Sequence, residues 1–262
     1  SEGENVNSLA AKGLERLKDP DMPGLMSKGA ESLIRIGNTR DHFHQLEDCD
    51  WIAEAVVERL DIKQALYQKL NESCKESTII TSNTSTIPIS LLTKGMPKKF
   101  CERFAITHFF NPVRFMRLLE LVRGEFTRDE VIDTLDLFSE KILGKGVVSC
   151  SDTPGFLANR VGVFAIQCAL HKAFEYKLSP TEADAFFGRP LGLPKTGVFG
   201  LYDLIGIDLM ADVVKSLVSI LPENDAFHKY SSQIKFMSKM IANGQTGNKN
   251  EKGFYKQIGD ER

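Results

Sequence analysis

The chain has 262 residues, which at roughly 100–200 residues per domain allows one large domain or two modest ones. Hydrophobic residues at 42% and charged residues at 26% exclude a disordered or collagen-like chain, and a net charge of −2 leaves no basic surplus for nucleic acid. The longest apolar stretches, such as Val161–Ile166, fall far short of the roughly 20 residues that a membrane-spanning helix needs. The five cysteines (Cys49, Cys74, Cys101, Cys150 and Cys168) are scattered and form no C-x-x-C pair, so reduced thiols are expected rather than a metal site or a disulfide framework. Ser1–Asn5 shows neither a signal core nor an Arg-rich transit pattern, and a cytoplasmic enzyme is the default expectation.

Val6–Arg16 has helical spacing, broken by Asp19-Pro20 and Pro23-Gly24. A second helix is predicted over Leu25–Leu33, then a short strand at Ile34–Ile36, a helical turn at Asp41–Leu46 and a strand at Trp51–Val57. Asp61–Cys74 reads as an amphipathic helix with Ile62, Leu66 and Leu70 on its inner face. Thr78–Thr81, Phe104–Phe109, Met116–Val122 and Val147–Ser149 are predicted strands, with a helix over Arg128–Leu143. This alternation is the pattern of a parallel α/β sheet. After Asp152-Thr153-Pro154-Gly155 the character changes, and Phe156–Tyr176, Pro180–Phe187, Gly200–Leu221 and Gln233–Asn243 all read as helices. The expected division is therefore an α/β domain over residues 1–151 and an all-helical domain over residues 152–262.

One expected motif is missing. A dinucleotide-binding half opens with a strand, a G-x-G-x-x-G turn and a helix whose N-terminus holds the pyrophosphate. No such cluster precedes Trp51, where Gly3, Gly13, Gly24, Gly29 and Gly37 stand apart. The strongest constellation lies between Ser82 and Asn159. Ser82-Asn83-Thr84-Ser85 follows a predicted strand, at the sheet end where ligands bind, although it could equally cap the helix that starts at Pro88. His108 follows an apolar run and could be a satisfied core histidine. Glu120, within Leu118-Leu119-Glu120-Leu121-Val122, is expected to be buried and so to need a partner. His108 is the nearest candidate, and a buried carboxylate that orients an imidazole is the arrangement of a general base. Asn159 is either a site residue or an ordinary polar position on a helix.

Together S-N-T-S, H-F-F-N-P, L-L-E-L-V, D-T-P-G-F-L-A-N-R and the terminal G-F-Y resemble the L-3-hydroxyacyl-CoA dehydrogenases of fatty-acid β-oxidation, over nearly the whole chain from Asn38 to Tyr255. The resemblance implies a Rossmann-type domain, an NAD cofactor and an acyl-CoA substrate. It implies that His108 takes the proton of the 3-hydroxyl while C3 gives its hydride to NAD, that Glu120 orients His108, and that Ser85 and Asn159 hold the substrate oxygen. It places Asn111 beside the nicotinamide and makes Ala55, Glu58, Lys63, Ser85 and Lys249 further cofactor contacts. A homodimer through the helical domain is also implied.

Two departures qualify these expectations. The family's opening strand–helix–strand unit, roughly 30 residues long, is absent, so the sheet domain is expected to be incomplete and NADH binding by these residues alone to be weak. Residues Leu9–Leu17, with Lys12-Gly13, match the family helix that follows that unit and contributes to coenzyme A binding. In the helical domain, Gly188-Arg189-Pro190-Leu191-Gly192-Leu193-Pro194-Lys195 is more similar to long family members in which an enoyl-CoA hydratase-like domain is fused. Two alternatives stay open: a related sugar-acid (gulonate-type) dehydrogenase, and a catalytically silent scaffold or dimerisation fragment of a larger enzyme.

Overall fold

The computed structural model of the chain describes residues 6–21, 23–193, 195–231 and 234–256. Pro194, in the turn that resembles the longer family members, and Gln233, the expected start of the last helix, lie outside the described residues, as do Ser1–Asn5. The chain divides into two compact units, Ser1–Phe156 and Leu157–Arg262.

The first unit is built on a five-stranded sheet in the order β1 (Trp51–Glu54), β2 (Ile79–Ser82), β3 (Phe104–Phe109), β4 (Leu118–Arg123), β5 (Gly146–Cys150). The helices are α1 (Ser8–Arg16), α2 (Leu60–Ser73) between β1 and β2, α3 (Ile89–Leu92) and α4 (Lys98–Cys101) between β2 and β3, and α5 (Asp129–Lys141) between β4 and β5. Three of the four strand pairings are parallel, but β3 and β4 run antiparallel. The alternation pattern predicted a parallel sheet throughout. The exception has a simple cause: the 110–117 connection is too short for the crossover that a parallel pair requires.

Side chains alternate across the sheet, so Ile80, Phe104, Ile106 and Val122 fall on one face and pack with Tyr67, Leu70, Leu92 and Phe100. The other face carries Ala105 and Leu121 against Val131 and Leu135 of α5. The buried stripe of α2 is Lys63, Tyr67 and Leu70, at i, i+4 and i+7, while Ile62 is 37% exposed. The inner face predicted from Ile62, Leu66 and Leu70 is therefore rotated, because a buried lysine and tyrosine replace aliphatic residues at the sheet end of the helix.

Two predicted elements differ in the segment before β1. Residues 25–33 form only a single 3₁₀ turn, Ala30–Leu33, and Ile34–Ile36 is not a strand. Ile34 has extended torsions, φ −99° and ψ 118°, but a strand also needs a neighbour, and none of the described strands pairs with it.

The second unit consists of α6 (Ala158–Glu175), α7 (Pro180–Phe186), α8 (Phe199–Ile205), α9 (Ile207–Ile220), α10 (Phe227–Tyr230) and α11 (Ile234–Ala242). Leu170, Ala173, Tyr202, Ile207, Ala211 and Met237 form its main core. The helix predicted over Gly200–Leu221 is two helices, broken at Gly206, whose φ of 110° lies in the region that only glycine adopts without strain. Ser179 and Glu182 form a reciprocal capping box at the start of α7, with Pro180 as its first residue. The terminal G-F-Y motif is a clasp within this unit. The buried Asp203 carboxylate accepts the amide N–H groups of Phe254 and Tyr255, each at 2.9 Å. Only glycine fits at position 253, because a Cβ there would stand 1.9 Å from Asp203 Oδ1.

No helix among the described residues is long and apolar enough to cross a membrane.

Candidate active site

The antiparallel β3–β4 pair places the two predicted catalytic residues opposite each other. His108 and Glu120 are register partners, so their side chains rise side by side on the same face of the sheet. Glu120 is fully buried and His108 is 5% exposed. His108 Nδ1 lies 2.7 Å from Glu120 Oε2, and His108 Nε2 lies 3.0 Å from Ser85 Oγ. An ionised carboxylate can only accept, so Nδ1 carries the proton and Nε2 presents its lone pair toward Ser85. The imidazole is flanked by the rings of Phe110, at 4.6 Å between centroids, and Phe156, at 5.8 Å. These walls keep water from one side of the pair, and the resulting low dielectric strengthens its electrostatic interaction.

Ser85 is held by a dense set of contacts. Asn83 Oδ1 accepts the amide N–H of Phe109 at 2.8 Å, tying the loop after β2 to the end of β3 directly beyond His108. Glu58 Oε1 accepts the Ser85 amide at 3.3 Å, the Thr86 hydroxyl at 3.3 Å and the Thr84 hydroxyl. Asp152, of D-T-P-G-F, accepts the amides of Ile89 at 2.8 Å and Ser90 at 3.3 Å, fixing the start of α3 just past the loop. The S-N-T-S segment therefore both leads into a helix and presents Ser85 to the imidazole, so its two sequence interpretations are compatible.

Beneath the loop lies a buried polar cluster that sequence reasoning missed. Glu54, at the end of β1, accepts from Lys63 Nζ at 2.8 and 3.1 Å, Tyr67 Oη at 2.6 Å, Ser82 Oγ at 2.7 Å and the Val56 amide at 2.6 Å. Burial alone would raise its carboxyl pKa; the hydrogen bonds from Lys63, Tyr67 and Ser82 overcome that and hold it below the usual value. Burial, reinforced by the Glu54 bond, pushes the Tyr67 hydroxyl far upward, so it stays a donor. Lys63 Nζ also reaches Glu58 Oε2 at 3.3 Å. Polar contacts thus run from Glu54 through Lys63, Glu58, Ser85 and His108 to Glu120. The available signal was Glu54 itself, a carboxylate at an inward position of a strand, with a lysine nine residues on.

Two family models match the chain in succession. The family model "3-hydroxyacyl-CoA dehydrogenase, NAD binding domain" matches residues 4–153, and "3-hydroxyacyl-CoA dehydrogenase, C-terminal domain" matches residues 155–257. The chain belongs to the 3-hydroxyacyl-CoA dehydrogenase family. A Deinococcus radiodurans protein named as a 3-hydroxyacyl-CoA dehydrogenase is 37% identical over 256 residues, 98% of this chain and 73% of the relative. A Rickettsia prowazekii protein named as a fatty acid oxidation complex trifunctional enzyme is 42% identical over 250 residues, 95% of this chain. The chain spans only 35% of that longer relative. The crystal structure of (S)-3-hydroxybutyryl-CoA dehydrogenase from Ralstonia eutropha is similar at a TM-score of 0.77 and 30% identity, covering 96% of this chain and 85% of that one.

The positions assigned to the cofactor by family resemblance fall into distinct settings. Ala55 and Glu58 are exposed after β1, Ser85 is half-buried, and Asn111 is exposed just past β3. Lys63 is 1% exposed, with its ammonium taken up by Glu54 and Glu58. In the second unit, Asn159 is half-buried in the first turn of α6, and Lys249 pairs with Asp208 near the start of α9.

In the first unit, the groups beyond β1, β2 and β3 are an exposed carboxylate, a half-buried hydroxyl and an exposed carboxamide at the carboxyl ends of parallel strands, where a doubly wound sheet binds its nucleotide. This donor set fits the ribose and carboxamide of a nicotinamide nucleoside. A glycine-rich turn between a strand and a helix, as a pyrophosphate requires, is not present among the described residues.

Proposed function

We propose that the chain is the dehydrogenase portion of a longer fatty-acid oxidation enzyme and oxidises an L-3-hydroxyacyl-CoA to the 3-ketoacyl-CoA with NAD. The supporting observation is the Ser85–His108–Glu120 chain, with contacts of 3.0 and 2.7 Å ending on a fully buried carboxylate. In this mechanism the substrate hydroxyl takes the place opposite Nε2. Its O–H bond breaks, the proton goes to Nε2, and the C3 hydrogen departs with its electron pair as the carbonyl forms. NAD supplies the hydride acceptor when bound. Glu120, by accepting from Nδ1–H, fixes the tautomer that turns the Nε2 lone pair to the substrate, and it stabilises the imidazolium formed by the proton transfer. Ser85 Oγ, held by its backbone link to Glu58, steers the substrate oxygen toward Nε2.

Glu58, Ser85 and Asn111 would hold the nicotinamide nucleoside, with Ala55 leaving room beside it. Lys63 contributes by fixing Glu58. The length of the trifunctional relative supports placing this chain in a multifunctional polypeptide, where a hydratase would supply the 3-hydroxyacyl-CoA.

His108→Gln tests the proposal, because it removes the base with little change in volume. In the full-length protein, turnover of acetoacetyl-CoA with NADH should fall by about 10²–10⁴-fold while the fold is retained. An unchanged kcat would refute His108 as the base. A preference for a free sugar acid such as gulonate over acetoacetyl-CoA would refute the substrate class.

A further inference from the structure

Lys145, immediately before β5, is a buried cation that neither the proposed base nor the proposed cofactor contacts employ. It is 7% exposed. Its ammonium donates to the Val113 carbonyl, donates to the Met116 carbonyl at 2.8 Å, and lies 5.9 Å from the centroid of the Phe109 ring. No carboxylate pairs with it among the described residues. A buried charge without a counter-charge is costly, so neutral dipoles and a ring face must hold it in place.

All three partners lie on one stretch of chain, 109–116. This stretch begins one residue after His108, contains Asn111 and ends four residues before Glu120. The loop ties itself together with the amides of Phe115 and Met116, each bonded to the Pro112 carbonyl at 3.0 Å. The next residue on the β5 side repeats the anchoring, as Gly146 N–H donates to the Arg117 carbonyl at 2.8 Å. An apolar side chain at position 145 could fill the same space, but it would take away the charged donor that ties the Val113 and Met116 carbonyls to the start of β5. The amine therefore serves to shape the loop.

We propose that Lys145 is a positioning residue for the dehydrogenase reaction, clamping the 110–117 loop so that Asn111 stays aimed at the nicotinamide. This assignment rests on the functional reading above, which places Asn111 at the cofactor. It predicts an effect on cofactor binding that loss of stability alone would not produce.

The test uses Lys145→Met, Asn111→Ala and the double variant in the full-length protein, with His108→Gln alongside. Without any nucleotide, hydrogen exchange at the Phe115 and Met116 amides should accelerate in Lys145→Met, while β1 and β2 keep their protection. KM for NADH should rise about tenfold or more, the cost of losing hydrogen bonds from a charged donor, with KM for acetoacetyl-CoA within about twofold. The double variant should be no worse than the more damaging single variant, because both act on one contact. Unchanged loop exchange, an unchanged NADH KM or an additive double variant would each overturn the proposal. If Lys145→Met does not fold, Lys145→Gln keeps a neutral amide NH2 as donor toward the carbonyls and is judged by the same measurements, with smaller shifts expected. Full turnover in His108→Gln would instead refute the assigned base, and the exchange measurement would still decide whether Lys145 holds the loop.

Discussion

Glu120→Gln probes the electrostatic half of the proposed base without changing its shape. Glu120 is fully buried, its Oε2 lies 2.7 Å from His108 Nδ1, and Cys150 Sγ donates to its Oε1 at 3.7 Å. Glutamine keeps the volume and can still offer its amide oxygen to Nδ1–H, so the tautomer and ring orientation survive. What disappears is the negative charge that faces the imidazolium once the proton has moved. Two unit charges about 4 Å apart attract by about 4 kcal/mol at an effective dielectric of about 20. A neutral amide recovers about 1 kcal/mol of that as a hydrogen bond. The net loss of about 3 kcal/mol corresponds to about a hundredfold fall in kcat. Steady-state reduction of acetoacetyl-CoA, followed by NADH absorbance, measures it, with circular dichroism as the control for folding. A kcat within twofold of wild type would refute the pairing as the source of basicity, since no surface interaction could then be masking a buried one.

The buried cluster beneath the serine loop makes its own prediction. Glu54 is held below its ordinary pKa of 4.5, so it contributes stability above that value that is lost as pH falls through the lower folded value. Glu54→Gln should lower stability by about 3 kcal/mol near neutrality, because Lys63 loses its buried partner, and the variant should converge with wild type in strong acid. Parallel melting curves at every pH would refute this. In the helical unit, Gly253→Ala should destabilise by about 2 kcal/mol, because the added Cβ would force the Phe254 and Tyr255 amides away from Asp203. An unchanged thermal transition would show that the clasp yields without cost.

The His108–Glu120 pair was legible in the sequence for a physical reason. A carboxylate within Leu118-Leu119-Glu120-Leu121-Val122 cannot be buried alone, and the nearest imidazole lies twelve residues back across the short 110–117 connection. The consequence for topology was present in the same residues, although periodicity alone favoured an all-parallel sheet. The breaks were harder to anticipate. Gly206 looked like one more helical residue, and only its φ of 110° reveals the corner between α8 and α9. Ile34–Ile36 has the composition of a strand but no described strand to pair with, so composition alone could not make it one.

Lys63 and Lys145 show why the charged residues around the site were less legible than its base. On a helix, a lysine is normally a solvated surface group, and for Lys63 the family resemblance implied a cofactor contact. The helix face gives it a buried setting: Lys63, Tyr67 and Leu70 form the buried stripe of α2, and Lys63 stands where that stripe meets the end of β1. Lys145 has no helix to place it, and its partners are backbone carbonyls, which every residue carries and no side-chain pattern records. A base pair made of two side chains leaves its signature in residue types. A clamp made of one side chain and main-chain carbonyls becomes visible only once the loop has a conformation. The loops beside His108, one held through Glu58 and the other by Lys145, therefore depend on the type of interaction that a sequence records least.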